Sequence, residues 1–360
     1  MQAPTTDAPA DDVLIRREGR AGRITMNRPH ALNALTHAMV GRIHEALLAW
    51  RDDRAVELVL LDGAGGRALC AGGDVRALYD SRGEGSGLAR AFWSSEYPLN
   101  ALIGRYPKPY VAIQDGIVMG GGIGLSGHAR HRIVTERSRL AMPETGIGLI
   151  PDVGGTWLLA QAPGAAGVYL GLTGEQMAAA DAIHARFADV FVASDRLGDL
   201  AARLADPGGG AVPEVIGSFG SDAGVSPLAA RHRDIDRIFA GDSVEAMLDR
   251  LTATPGEWAQ KVAATLAQKS PKSLKLTLAA VHNARHLGSL EEALNVEYRL
   301  CVRLFEDGEF PEGVRALLVD KDRKPKWSPP RLADVRPELV ATYLAPLPVG
   351  EELGLIPQRV

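Results

Sequence analysis

The sequence predicts an α/β fold: a core laid down as a spiral of ββα turns, with a mostly helical region after it. Three observations carry that prediction. Paired apolar runs, each followed by an amphipathic or glycine-led helix, recur between Val13 and Met142, whereas a doubly wound sheet alternates single strands with helices. Glycine clusters stand before two of those helices, at Ala71-Gly72-Gly73-Asp74 and at Gly120-Gly121-Gly122. Beyond about Ser194 strand patterns fade and helical spacing dominates.

The elements follow in order. Residues 13–26 (VLIRREGRAGRITM) read as strand, turn and strand, ended by Asn27-Arg28-Pro29. Thr36 opens a helix through Trp50, with Met39, Ile43, Leu47 and Trp50 near helical spacing. Residues 56–62 (VELVLLD) form a buried strand, and a glycine-rich loop, GAGGRALCAGGD, runs on into a polar helix. Residues 110–113 (YVAI), the Met119-Gly120-Gly121-Gly122 turn into an apolar helix, 131–135 (HRIVT) and 138–142 (SRLAM) repeat the unit. In the later region Leu274, Leu278 and Val281 share a helical face. Ser289 with Glu292 makes a capping-box pattern ahead of Leu294, Tyr298 and Cys301. Residues 206–224 are rich in Gly, Pro and Ser and read as a linker. The expected division is a disordered tail at 1–11, an α/β domain at 12–205, the linker at 206–224 and a helical region at 225–360.

Composition narrows the function. The chain has 360 residues, 46% apolar and 23% charged, as expected of a globular protein with a substantial core. A net charge of −4 gives no reason to expect a nucleic-acid partner. No apolar run reaches the ~20 residues needed to span a bilayer, so no membrane role is expected. The two cysteines, Cys70 and Cys301, are too few for a disulfide framework and fit a reducing compartment. No CxxC or HExxH spacing occurs, and no metal is expected. The opening MQAPTTDAPADD lacks the basic and apolar regions of a signal peptide, which points to the cytoplasm of a bacterium.

The glycine loops are where chemistry enters. Backbone N–H groups at a helix start stabilise negative charge on a carbonyl oxygen, and glycine lets a ligand approach the backbone closely. A single glycine cluster is also simply a tight turn. A dinucleotide loop fails on spacing, because Gly120 to Gly124 does not reproduce GxGxxG before a βαβ unit. Downstream, Glu144 and Asp152 stand in the apolar, glycine-rich stretch MPETGIGLIPDVGG. Buried carboxylates need a partner or a purpose, although either residue alone is also a plausible cap or ion-pair member. Cys70 beside the first loop reads as a small buried hydrophobe rather than a nucleophile.

The ordered set CAGGD, MGGG and PETGIGLIPDVGGT, with NRPHALNAL before it and GLTGEQMAAADAIHARFADVFV after it, resembles the enoyl-CoA hydratase/isomerase (crotonase) superfamily over roughly residues 13–195. The resemblance implies a crotonase-like ββα spiral, a CoA-thioester substrate and an oxyanion hole made by the N–H groups of Gly73 and Gly121. Hydratases of the superfamily carry two glutamates. One matches Glu144; the position of the other is Gly124, and Asp152 stands where hydratases usually have glycine. That pattern is similar to a hydrolase branch of the superfamily. So are Ser95-Glu96-Tyr97, residues 295–300 (NVEYRL) and the segment 310–327 (FPEGVRALLVDKDRKPKW).

The implied reaction is hydrolysis of a small 3-hydroxyacyl-CoA, such as 3-hydroxyisobutyryl-CoA of valine breakdown. Glu144 and Asp152 are then catalytic, and Glu96, Gly121, Glu144 and Asp152 meet the substrate. Asp74, Val75 and Arg76 line the CoA, with Arg76 or Arg28 as candidates for its phosphates. Coenzyme A is part of the substrate, so no separate cofactor is implied. Relatives often form trimers, which makes a homo-oligomer an expectation, although the helical C-terminal region can change that packing. Two other readings stay open at this point: another crotonase reaction (hydration, isomerisation or decarboxylation) and a CoA-binding protein without catalysis.

Overall fold

The computed structural model describes residues 11–357. The tail expected at 1–11 lies outside the described residues, apart from Asp11. The predicted spiral is present. Strands β1 (Val13–Glu18) and β2 (Ala21–Met26) form an antiparallel hairpin closed by Gly19 at φ 54°. Thereafter the chain deposits strands in pairs: β3 (Leu58–Gly63) and β4 (Ala68–Cys70), β5 (Tyr110–Gln114) and β6 (Ile117–Met119), β7 (His131–Val134) and β8 (Arg139–Ala141), ending with β9 (Val190–Phe191). The first member of each pair joins a six-stranded sheet, β1-β2-β3-β5-β7-β9, and the second a three-stranded sheet, β4-β6-β8. Apart from the hairpin every pairing is parallel. The glycine-rich segment read as loop thus contains β4, three apolar residues hidden between turn residues.

Helix α1 (His37–Asp52) begins as its sequence requires, with the Thr36 hydroxyl accepting from the Met39 N–H, and it buries Met39, Val40, Ile43 and Leu47. Helices α2 (Val75–Asp80), α3 (Gly87–Gly104) and α4 (Gly121–Ser126) complete the turns that carry the site.

The larger sheet is buried on both faces, and its side chains alternate with period two. Val59, Leu61, Ala112 and Val134 join the main core, while Leu58, Leu60, Val111, Ile113 and Ile133 face the other way. That second face is covered by the helices Leu197–Ala205 and Val212–Phe219. The segment expected to be a linker therefore contains a packed helix. Val212, Val215 and Ile216 have i, i+3, i+4 spacing and cover sheet surface, which outweighs the Gly and Pro around them.

Nor does the core stop at residue 205. One continuous apolar cluster runs from Val13 through Leu61 and Tyr97 to Leu294, Phe310 and Leu347. The helix Leu290–Glu306 packs on α3, with edge-to-face ring pairs Tyr97–Tyr298 at 6.3 Å and Trp93–Phe305 at 6.2 Å. The capping box forms in modified fashion: Ser289 accepts from the Glu292 N–H, while Glu292 reaches back to Gly288 N at 2.7 Å.

Candidate active site

The two glycine loops lie side by side where β4 and β6 give way to α2 and α4. A β-carbon placed on Gly121 would come 3.3 Å from Gly73 N and 2.7 Å from Glu96 Oε1, so a side chain there would crowd the first loop and displace the Glu96 carboxyl. Gly120 turns the chain into α4 at φ 47°, a backbone conformation suited to glycine. Leu35 clamps the first loop on both sides of Gly73, donating its N–H to Gly72 O at 2.8 Å and accepting from Asp74 N at 2.9 Å. The N–H groups of Gly73 and Gly121 have no acceptor among the described residues. Asn33 fixes the preceding turn, accepting from Arg28 N at 2.8 Å and donating to Ala68 O at 2.8 Å.

Both glycines open onto a cavity of about 240 Å³ that is also lined by Glu96, Glu144 and Asp152. Each carboxyl is at least nine-tenths buried: Glu96 2%, Glu144 4% and Asp152 5% exposed. Glu96 Oε1 and Glu144 Oε2 have no hydrogen-bond partner among the described residues. Burial and the nearby Asp152 push both glutamates well above the ordinary carboxyl range. Asp152 is raised less, to about 6: burial lifts it, while the Tyr97 hydroxyl, donating to Oδ2 at 2.8 Å, favours its charged form. Apolar walls from Phe92, Trp93, Phe310, Leu317 and Leu318 complete the enclosure. A neighbouring groove of about 560 Å³, which includes Lys269, Arg323 and Trp327, meets this cavity at Pro143, Ile147 and Leu317.

Among the positions proposed along the CoA, Val75 lines the cavity, whereas Asp74 and Arg76 do not. Asp74 caps α2 through Ala77 N and pairs with Arg28 at 3.3 Å. Arg76 pairs with Asp80 one turn on, at 2.9 Å, and Arg28 also meets Asp12 at 3.5 Å. Both phosphate candidates are therefore engaged within the chain. Gly124 has a clear reason to lack a side chain: a β-carbon there would stand 2.8 Å from both Asn100 Nδ2 and Val153 Cβ. The space a residue-124 carboxyl would need is filled.

Residues outside the predicted set hold the site from behind. Asp152 is followed by Val153 at φ 54°, a costly conformation for a β-branched residue. Three groups hold that turn. Half-buried His128, pushed down to about 4 and hence neutral, donates from Nε2 to Val153 O at 2.8 Å. Glu297, fully buried in the helix Leu290–Glu306, accepts from Gly154 N at 2.7 Å, from Thr156 N at 2.9 Å and from the Thr156 hydroxyl. Tyr97 holds the Asp152 carboxyl itself. Lys269, half-buried in the turn before the helix Pro271–Ala284, favours the charged form of Glu144. Glu297 had a legible signal, since it shares a helical face with Leu294 and Cys301, where a carboxyl is costly. Lys269 had none.

A ββα spiral whose paired glycine loops open on a cavity of buried carboxyls defines the crotonase class of acyl-CoA enzymes. The chain belongs to the enoyl-CoA hydratase/isomerase family, whose model matches residues 21–344. It is 42% identical over 337 residues to the mitochondrial 3-hydroxyisobutyryl-CoA hydrolase of Danio rerio, covering 91% of this chain and 88% of that protein. Among solved structures, a protein described as an enoyl-CoA hydratase from Rhodobacter sphaeroides has a TM-score of 0.90 and 46% identity, covering 96% of this chain and 100% of its own. A carnitinyl-CoA dehydratase from Mycobacterium thermoresistibile gives a TM-score of 0.90 at 45% identity, covering 95% and 98%. One expectation is corrected here. The cytoplasmic place inferred from the opening residues is overturned by hydrolase relatives, including those of Danio rerio and Homo sapiens, that are named as mitochondrial.

Proposed function

We propose that this chain hydrolyses 3-hydroxyisobutyryl-CoA to the free acid and coenzyme A, as part of valine breakdown, with the Gly73 and Gly121 N–H groups receiving the thioester oxygen and Glu144 as the catalytic carboxylate. The observation that carries this reading is the juxtaposition of two acceptor-free glycine N–H groups with Glu144 and Asp152 in one cavity. Charge developing on the thioester oxygen is stabilised by such preorganised donors, an effect worth roughly 3–4 kcal/mol per donor. Glu144 then either activates water as general base or attacks the thioester to give a mixed anhydride. Single turnover in ¹⁸O-water separates these routes, since only the anhydride route places the label in the enzyme's own carboxyl.

Asp152 and Glu96 supply the polar contacts for the substrate hydroxyl and the attacking water. The buried, unpartnered Glu96 Oε1 supports this role. Coenzyme A arrives with the substrate, so the reaction calls on no separate cofactor.

Two similar structures, described as an enoyl-CoA hydratase and a carnitinyl-CoA dehydratase, favour a second reading, hydration of an enoyl-CoA. Hydration in this superfamily uses the carboxylate that Gly124 lacks, and Asn100 and Val153 fill its place. An acyl-CoA panel read by free-thiol release decides. Release of coenzyme A from 3-hydroxyisobutyryl-CoA, with unhydroxylated thioesters slower, is the expected result. Hydration of crotonyl-CoA without thiol release would overturn the hydrolase reading, and binding without any turnover would leave a CoA-binding protein.

A further inference from the structure

Three buried carboxyls line the cavity and a fourth, Glu297, stands behind it, so the site turns on which oxygen of which carboxyl faces the substrate. Asp152 is approached from several elements. Glu144 comes from the short helix Glu144–Ile147, Glu96 and Tyr97 from α3, and Glu297 and Cys301 from the helix Leu290–Glu306, with Lys269 beyond Glu144 and neutral His128 behind Val153. Only Tyr97 among them gives Asp152 a side-chain hydrogen bond at normal distance, 2.8 Å from its hydroxyl to Oδ2. Tyr97 is wholly buried, and its ring is locked edge-to-face against Tyr298 at 6.3 Å, so the hydroxyl has one position to occupy. Its other polar neighbour is Cys301 Sγ at 3.4 Å, a weak acceptor.

We infer that Tyr97 is a positioning residue for the hydrolysis: it holds Asp152 Oδ2 so that Oδ1 is the oxygen presented to water and substrate. This rests on the hydrolase reading above. The backbone argues the same way. Val153 sits in a strained conformation immediately after Asp152, and strain of that kind persists only where surrounding contacts hold it. Tyr97 also settles where negative charge resides. A hydrogen bond to the carboxylate favours the ionised form of Asp152, so the lower-pH limb of the rate profile is assigned to the Asp152 ionisation that Tyr97 supports.

The test compares pH profiles of kcat/KM for wild type, Tyr97→Phe and a chain carrying 3-fluorotyrosine at position 97. Tyr97→Phe removes one oxygen from a packed ring. It should move the lower-pH limb up by about one unit, lower kcat/KM about tenfold on that limb, and recover most activity at alkaline pH with KM little changed. Fluorotyrosine is a stronger donor and should move the same limb the opposite way. A limb that stays fixed in both chains, with Tyr97→Phe merely less heat-stable, would overturn the assignment and leave Tyr97 as packing. Wild type and Glu144→Gln run alongside. Failure of wild type to release coenzyme A speaks against the hydrolase reading, whereas an unmoved limb with wild-type turnover intact speaks only against Tyr97.

Discussion

The α/β spiral and the helical region after it meet at one cavity, but they contribute in different ways. From the spiral come the glycine N–H groups, Glu96, Glu144 and Asp152. The helical region adds Glu297, Cys301, Lys269 and Phe310, and of these only Phe310 lines the cavity of the carboxyls. Its groups act from behind: Glu297 ties down the turn after Asp152, and Lys269 biases the charge of Glu144. The glycine loops and the carboxyls of the cavity therefore belong to one region and their placement to both. Separating the two would expose core on each side, because the apolar cluster is continuous across them.

That contrast predicts which changes abolish turnover and which only detune it. The largest effect should come from the spiral. Glu144→Gln is expected to lower kcat by about 10³-fold while coenzyme A still binds, measured by thiol release and calorimetric titration. If turnover survives, the catalytic assignment moves to another carboxyl. Phe310→Ala, from the helical region, removes a fully buried ring and should cost roughly 3–5 kcal/mol in denaturant unfolding. Because the core is shared, spiral and helices should still unfold together; two separate transitions would break the comparison.

Glu297→Gln is expected to cost about 1–3 kcal/mol, since one of its acceptor oxygens becomes an NH₂ facing an N–H donor. Its pH dependence has a definite sign. Burial raises Glu297 from 4.5 to about 8, so its contribution to stability is fully present below the ordinary value and is lost as pH rises through about 8. The melting temperature of the wild type should fall across that window, and that of Glu297→Gln should fall less. Lys269→Met should have the smallest effect, a few-fold loss of kcat at neutral pH with the Glu144 ionisation moved upward. An unchanged pH profile would show that Lys269 does not influence Glu144.

Much of this was readable along the chain because the signals are local. Strand pairs show as apolar runs, and the two loops of the site show as glycines at helix starts. Where composition misled, packing decided. Residues 206–224 contain enough Gly and Pro to read as a linker, yet Val212, Val215 and Ile216 found a sheet face to cover. Arg76 stands on the exposed face of α2, where the structure pairs it with Asp80 one helical turn away. Gly124 was legible as a missing carboxylate; that Asn100 and Val153 occupy its space was not.

By itself the sequence determined the ββα repeat and the glycine pair, because backbone conformation and periodicity are written in neighbouring residues; Glu144 and Asp152 stood out as carboxyls in an apolar stretch, and Glu96 only through the family resemblance. Only the tertiary structure decided that Tyr97 bonds Asp152 across 55 positions and that Glu297 braces Gly154 across 143. Electrostatics in a buried site depends on distances through space, and those distances exist only once the two regions have packed into one core.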